Sequence, residues 1–237
     1  MLGMLMRIRF ILYAIYAAIM FFVVIAIAAV LSLFMKNKKA FFQSYARFCF
    51  RYIFIPPSGV KVRCHGLLNI PSNHPVVFVS NHQSNVDVPL LLAYLPGKFR
   101  FIAKKELFAI PLLGWYMRSA GYIQVERGKP SSAYSAIEQA VSAIREGDSL
   151  MIFPEGTRSW DGSLGDFKRG SLLAAQLSGA PIIPVAISGS FRIMPRKTLL
   201  IRPTEVKISV GDPVFIKDEE ESEKKFLEVR AAILRML

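Results

Sequence analysis

A histidine and an aspartate five positions apart, His82 and Asp87, are the residues of this sequence best suited to acid–base chemistry. Imidazole titrates near neutral pH, with an ordinary pKa of about 6.5, and a neighbouring carboxylate can fix its tautomer so that Nε2 accepts a proton from an alcohol. Residues at this spacing lie about 140° apart around a regular helix, so the two side chains can meet only if His82 lies in a loop. Pro89 fits the first turn of a following helix with Asp87 near its start. An aspartate that merely caps a helix gives the same short pattern, and both interpretations stay open on these residues alone.

A second polar segment, Phe-Pro-Glu-Gly-Thr-Arg at 153–158, also follows a short apolar run. Gly156 permits a close backbone approach, Thr157 offers a hydroxyl, and Arg158 presents a planar fork of N–H groups to phosphate oxygens. Glu155 could hold that arginine in place. Taken alone, the segment is equally typical of a surface turn with an ion pair.

Two further apolar runs are followed by positive charge. Lys105 comes after 99–103, and Arg127 comes after 121–125. In α/β proteins, ligands bind outside the carboxyl ends of the strands. If these runs are strands of one sheet, the cations and His82 lie at one edge, where a phosphate-bearing substrate would fit.

The elements that must position these residues belong to a predicted α/β domain at 58–237. Seven short apolar segments bounded by Gly, Pro, Asn or Asp predict strands. These are 60–64, 76–80, 99–103, 121–125, 149–153, 182–188 and 205–210. Helices are predicted at 131–146, between Phe167 and Gly179, and at 218–237. This alternation predicts a mostly parallel or mixed sheet flanked by helices on both faces.

Residues 1–57 form a predicted membrane-embedded helical segment. The stretch 10–35 has 26 residues without a charge, about 39 Å as a helix, enough to cross a bilayer with tilt or to form a shallow hairpin. A helix at 38–55 would rest aromatic rings in the membrane interface and direct Lys and Arg to lipid phosphates; the alternative is packing on the protein's own core. Pro56 and Pro57 mark the boundary. A signal peptide fits less well, because its apolar region would be only about 7–15 residues long.

Charge is distributed unevenly along the chain. The net charge is +13, and nine Lys or Arg but no Asp or Glu precede Asp87. Charge clustered beside an apolar run favours an anionic membrane surface and argues against nucleic acid. The lysines after the run outnumber the arginines before it, which predicts an active domain on the cytoplasmic face of the membrane. Cys49 and Cys64 fit no metal spacing and are too few for a disulfide scaffold.

These residues together resemble the glycerolipid acyltransferases, most closely the 1-acyl-glycerol-3-phosphate (lysophosphatidic acid) acyltransferases. The resemblance covers about residues 60–210 and rests on four blocks in order and spacing. They are Asn81-His82 to Asp87, Gly121 to Arg127, Phe153 to Arg158, and Ile183-Pro184-Val185. Glu126 replaces the commoner aspartate of the second block and leaves the charge unchanged.

The resemblance implies direct acyl transfer without a covalent enzyme intermediate. His82, oriented by Asp87, would deprotonate the sn-2 hydroxyl of 1-acyl-glycerol-3-phosphate, which attacks the thioester of acyl-CoA or acyl-carrier protein and gives phosphatidic acid. The implied phosphate-binding group is Glu155, Gly156, Thr157, Arg158, Arg127 and Lys105. No cofactor beyond the acyl donor and no metal is expected. The implied partners are membrane lipids, lysophosphatidic acid and the acyl donor, with no nucleic acid.

Two alternatives stay open. The acceptor could be another lysolipid, such as a lysophosphatidylethanolamine or a lyso-ornithine lipid. A non-catalytic lipid-binding protein of the same fold would need neither His82 nor Asp87, so the intact pair favours an enzyme. Ser84 is not expected to be a nucleophile, because no Gly-x-Ser-x-Gly elbow surrounds it. Oxyanion donors are expected to be backbone N–H groups that the sequence does not identify.

Overall fold

The computed structural model describes residues 2–195, 198, 200–216 and 221–237. Its α-helices are α1 (Leu2–Ser32), α2 (Lys38–Phe48), α3 (Ile55–Ser58), α4 (Asp87–Tyr94), α5 (Lys105–Phe108), α6 (Leu113–Ser119), α7 (Pro130–Arg145), α8 (Leu173–Ser178), α9 (Ser190–Ile193) and α10 (Ser222–Met236). Its strands are β1 (Lys61–His65), β2 (Val77–Ser80), β3 (Phe99–Lys104), β4 (Ile123–Val125), β5 (Ser149–Ile152), β6 (Ile182–Ser188) and β7 (Glu205–Val210). A π-helix, Cys49–Phe54, joins α2 to α3, and 3₁₀ turns occur at Leu67–Asn69 and Arg169–Leu172.

The described strands form one sheet in the order β1-β7-β6-β2-β5-β3-β4. Every neighbouring pair is parallel except β6 and β7, which are antiparallel. Strands β2 to β6 therefore all end at the same side of the sheet, which we call the carboxyl edge, while β1 and β7 run the opposite way. The predicted mixed, mostly parallel α/β sheet flanked by helices is confirmed.

The predicted strands and helices are present with small shifts at their ends. β4 begins only at Ile123, because Gly121 has a φ of 75° and its N–H still bonds to Arg118 in the turn after α6. The helix predicted after Phe167 is divided into the second 3₁₀ turn and the short α8, and it ends at Gly179 with a φ of 70°. The start of the helix predicted at 218–237 falls outside the described residues; α10 occupies the rest.

Apolar side chains fill both faces of the sheet. Along β2, Phe78 packs into the cluster beneath α4, while Val77 and Val79 pack into the cluster beneath α7, α8 and α10. Alternation between faces follows from the period of two along a strand. Because β2 is buried on both faces, its end at the carboxyl edge is held firmly in place.

Helix α2 packs on the α/β domain through Phe42, Gln43 and Ala46, which are buried. The Gln43 amide donates to the Ala120 carbonyl at 2.9 Å. The Arg47 guanidinium donates to the carbonyl of Leu92 (3.2 Å) in the last turn of α4 and to those of Leu95 (2.9 Å) and Gly97 just after it. The expectation that the basic residues of 38–55 face lipid phosphates is therefore wrong for Arg47, because carbonyls in the last turn of α4 and just after it need donors. The alternative, packing on the protein's own core, describes α2.

Helix α1 lies beside α2 and the π-helix. The hydroxyls of Tyr13 and Tyr16 each donate at 3.0 Å, to the carbonyls of Phe54 and Ile53. Pro57 has no N–H to donate to the carbonyl of Ile53, four residues earlier, so the Tyr16 hydroxyl can occupy that carbonyl. The outer face of α1 is apolar and exposed. Among the described residues, one helical segment, Arg7–Ser32, is long and apolar enough to cross a bilayer.

Candidate active site

The imidazole of His82 and the carboxylate of Asp87 are in direct contact, with Nδ1 and Oδ2 2.8 Å apart. β2 ends at Ser80, and the chain then turns back so that Asp87 begins α4. The Asp87 side chain is fully buried, whereas that of His82 is 14% exposed. Since Nδ1 faces the carboxylate, Nε2 is the nitrogen left for a substrate. The loop geometry that the sequence analysis required for this pair is the observed one.

Asp87 also organises the loop that carries the histidine. The same Oδ2 accepts the backbone N–H of Gln83 at 2.7 Å and that of Ser84 at 2.8 Å. The buried Ser84 hydroxyl donates to the Met194 carbonyl at 2.9 Å. Ser84 is thus part of the scaffold, in agreement with its rejection as a nucleophile.

Asn81 ties this loop to the neighbouring strand β6. Its amide nitrogen donates to the Ile187 carbonyl at 2.9 Å, and its amide oxygen accepts the Ile187 N–H at 2.7 Å. The side chain thereby replaces a pair of strand hydrogen bonds. Asn81, the residue before His82, is therefore held to β6 by two hydrogen bonds.

The ring of Phe153 stacks on His82, with 4.1 Å between centroids and 17° between planes. Phe153 follows β5, which pairs with β2 so that Val79 lies opposite Ile152. This contact was not predicted from the sequence. The signal was the position of an aromatic residue at the end of one apolar run and a histidine just past the end of another.

Glu155 joins two loops around His82. Its Oε1 accepts the His82 N–H at 2.8 Å, and its Oε2 accepts the Gly165 N–H at 2.9 Å. The Ser159 N–H donates to the His82 carbonyl at 2.7 Å. Burial raises the pKa of the Glu155 carboxyl above its ordinary value, against the two backbone hydrogen bonds that lower it. The sequence predicts that Glu155 holds Arg158; in the structure its two oxygens accept the backbone N–H groups of His82 and Gly165.

The residues of the second polar segment come directly after β5, the strand next to β2. Gly156 has a φ of 67°, which favours glycine. Thr157 is exposed and Arg158 is half-buried. The structure thus brings these three predicted phosphate-binding residues to the same part of the carboxyl edge as His82.

Lys105 and Arg127 lie farther along this edge. Neighbouring strands are about 4.8 Å apart, so the ends of β3 and β4 lie roughly 10 and 14 Å from the end of β2. The Lys105 ammonium pairs with Glu126 at 3.1 Å, and Arg127 is exposed. Nearby, a hydrogen bond from the Lys104 side chain lowers the pKa of the exposed Glu106 carboxyl. These cations share the edge with His82 but are not its immediate neighbours.

The described residues hold no group of three or more His, Cys, Asp or Glu that could bind a metal ion. Cys49 is buried and Cys64 half-buried, and both thiols are free.

The chain is similar to several known proteins. The acyltransferase family model matches residues 61–188, which include the His82 loop and the segment 153–158. The chain is 36% identical over 157 residues to the chloroplastic 1-acyl-sn-glycerol-3-phosphate acyltransferase BAT2 of Brassica napus, covering 65% of this chain and 45% of that protein. It is 32% identical over 157 residues to 1-acyl-sn-glycerol-3-phosphate acyltransferase alpha of Homo sapiens, covering 66% and 56%.

The chain thus spans about half the length of the curated relatives it matches. It is also similar to the crystal structure of the 1-acyl-sn-glycerophosphate (LPA) acyltransferase PlsC from Thermotoga maritima, with a TM-score of 0.79 and 28% identity. That match covers 98% of this chain and 97% of the other. With the family model matching more than half of its residues, the chain belongs to the acyltransferase family.

Proposed function

We propose that this protein transfers a fatty acyl group from an acyl thioester to the sn-2 hydroxyl of 1-acyl-glycerol-3-phosphate, which gives phosphatidic acid. The observation that carries the proposal is the 2.8 Å contact between His82 Nδ1 and Asp87 Oδ2 at the carboxyl edge. It leaves Nε2 as a base beside the segment that contains Arg158. The printed names of the relatives and of the Thermotoga maritima structure support the acceptor.

In the proposed reaction, His82 Nε2 takes the proton of the sn-2 hydroxyl as its oxygen attacks the thioester carbonyl carbon. Asp87 stabilises the imidazolium that forms. The tetrahedral intermediate then collapses, the carbon–sulfur bond breaks, and the imidazolium returns its proton to the departing thiolate. The products are the new ester, phosphatidic acid, and the free thiol of CoA or of acyl-carrier protein. A positioned base of this kind accelerates the step by about 10²–10⁴-fold.

The acceptor's phosphate is only a few bonds from its reacting hydroxyl, so its ligands must lie close to His82. Arg158, with Gly156 and Thr157, meets this requirement, because these residues follow the strand next to β2. Glu155 acts by positioning, since it bonds the backbone of both loops. Lys105 and Arg127 are farther along the edge, where they attract the anionic headgroup.

The same proposal includes attachment to one leaflet of a membrane. α1 lies along α2 and the π-helix, and the other side of α2 is packed on the α/β domain. If α1 crossed the bilayer while it kept these contacts, part of the α/β domain would lie in the hydrocarbon core of the membrane. α1 therefore lies in the interface with its exposed apolar face in the lipid. The active domain faces the cytoplasm, and the basic residues of the first 57 positions meet anionic lipids there.

The experiment is an acceptor screen that records release of free thiol from acyl-CoA or acyl-carrier protein and identifies the lipid product by mass spectrometry. Wild-type protein is expected to release thiol upon addition of lysophosphatidic acid and to form phosphatidic acid. His82→Ala is expected to abolish release without changing the melting temperature by more than a few degrees. Wild-type protein without acceptor-dependent release would refute the enzyme, faster release with another lysolipid would reassign the acceptor, and an active His82→Ala would remove His82 as the base.

A further inference from the structure

The side chain of Lys168 lies against Gly156, a residue of the second polar segment (153–158). A Cβ placed on Gly156 would be 2.7 Å from both Cε and Nζ of Lys168. The φ of 67° favours glycine at this position, and the end of the lysine side chain occupies the space that a Cβ would fill. The backbone N–H of Lys168 donates to the Pro154 carbonyl at 2.9 Å, which fixes the lysine alongside the chain that leaves β5.

No hydrogen bond or ion pair to the Lys168 side chain occurs within the part of the chain that the structure describes. Several other lysines are paired, among them Lys105 with Glu126 and Lys39 with Asp148. The nearest carboxylate in the segment, that of Glu155, already accepts two backbone hydrogens. The exposed Lys168 ammonium therefore lies beside Gly156 without a hydrogen-bond partner among the described residues.

A phosphate monoester carries close to two negative charges at neutral pH and offers three acceptor oxygens. One arginine fork satisfies two of those oxygens, and a lysine ammonium is a compact point charge suited to the remainder. From this complementarity we infer that Lys168 is a further substrate-binding residue, which donates to the acceptor's phosphate together with Arg158. The inference rests on the proposed function, because it names a second cation of the same site.

The test compares Lys168→Gln with Lys168→Arg, which keeps the charge. Lys98→Gln is the matched control, because Lys98 is also exposed but directly precedes β3, at the opposite edge of the sheet. Michaelis constants are measured for lysophosphatidic acid and for the acyl donor in detergent-solubilised full-length protein, with melting temperatures recorded for each variant.

Lys168→Gln is expected to raise KM for lysophosphatidic acid by about tenfold, the loss typical of one charge-assisted hydrogen bond, and to leave KM for the donor unchanged. Lys168→Arg is expected to restore most of the affinity, and Lys98→Gln to match the wild type. An unchanged acceptor KM in Lys168→Gln, or an equal rise for the donor, would overturn the inference while leaving the proposed function intact. A wild-type protein inactive on lysophosphatidic acid would overturn both.

Discussion

The imidazole of His82 lies face to face with the phenyl ring of Phe153, while its Nδ1 lies 2.8 Å from Asp87 Oδ2. The first contact fixes the plane of the ring, and the second fixes its rotation within that plane. Phe153 is supported from behind by Phe101, with 6.1 Å between ring centroids. The direction of Nε2 is therefore set by two independent contacts.

Phe153→Leu is expected to lower kcat by about 3- to 10-fold with little change in either KM. The substitution keeps an apolar side chain but removes the flat surface, and ring pairs of this kind contribute about 0.5–1.5 kcal/mol. Steady-state kinetics of purified protein would measure the effect. Phe41→Leu serves as the control, because Phe41 stacks on Tyr45 within α2, with 5.5 Å between ring centroids. Equal losses in both variants would mean that stacking on the imidazole is unimportant.

Asp87→Asn is expected to reduce kcat by roughly 10²–10⁴-fold with the fold retained. The asparagine oxygen can still accept the N–H groups of Gln83 and Ser84, so the loop keeps its shape. A neutral amide does not stabilise the imidazolium. Turnover near that of the wild type, at an unchanged melting temperature, would show that Asp87 serves only the loop.

The site could be predicted in outline because it depends on local pattern and on strand direction. His82, Asp87 and Arg158 each follow a short apolar run, and parallel strands place their ends at one edge. The task of Glu155 could not be predicted in this way. Its partners are backbone N–H groups of His82 and Gly165, and every residue except proline offers such a donor.

The packing of α2 on the α/β domain could not be predicted from the sequence either. A basic, aromatic helix suits a membrane interface, and it also suits the surface of a domain whose buried helix end needs donors. The carbonyls that Arg47 meets, at Leu92, Leu95 and Gly97, are 45 to 50 residues away in the chain. Only the fold brings them together.

Arg47→Met is expected to lower the melting temperature by several degrees and to reduce kcat. It retains apolar packing but leaves the end of α4 without its donors, at about 1–3 kcal/mol for each carbonyl that stays buried. Each kcal/mol corresponds to about 2–4 °C in a protein of this size. Activity is expected to fall because α4 begins with Asp87.

Thermal unfolding in detergent and steady-state kinetics would test this prediction. Lys38→Met is the control on the same helix, since Lys38 is exposed. An Arg47→Met protein as stable as this control would show that the carbonyls of α4 find other donors.

Serine substitutions at Ile11, Ile15 and Phe22 together are expected to release the protein from lipid vesicles. These side chains are 53%, 54% and 61% exposed on the outer face of α1. Their removal takes apolar surface from the membrane without touching the contacts between α1 and α2. Vesicle sedimentation measures the bound fraction.

The control for that experiment replaces Tyr134, Leu227 and Leu234 with serine; these are 63%, 60% and 55% exposed on α7 and α10. We expect the control to stay bound. Release of both proteins, or of neither, would contradict the assignment of the outer face of α1 as the lipid contact.

Glu155→Gln is expected to change the pH dependence of stability. Because burial raises the pKa of the Glu155 carboxyl in the folded protein, the folded state keeps a proton that the unfolded chain loses near its ordinary value of 4.5. The stabilisation from this extra proton is fully present below that value, and it is lost as the pH rises through the raised folded pKa. Glutamine does not titrate. The free energy of unfolding of wild type minus that of Glu155→Gln should therefore decrease as the pH rises from about 4 to about 7.

The same variant is expected to lose activity at neutral pH, by about tenfold. A glutamine oxygen can accept one of the two N–H groups, from His82 or Gly165, but its amide group then faces the other N–H with a second donor. The loop that carries His82 would shift, and the direction of Nε2 with it. Denaturant unfolding across the pH range, with kcat measured at neutral pH, separates the two effects. A stability difference that does not vary with pH would show that Glu155 titrates alike in the folded and unfolded chains, and unchanged kcat would show that its two hydrogen bonds do not position the base.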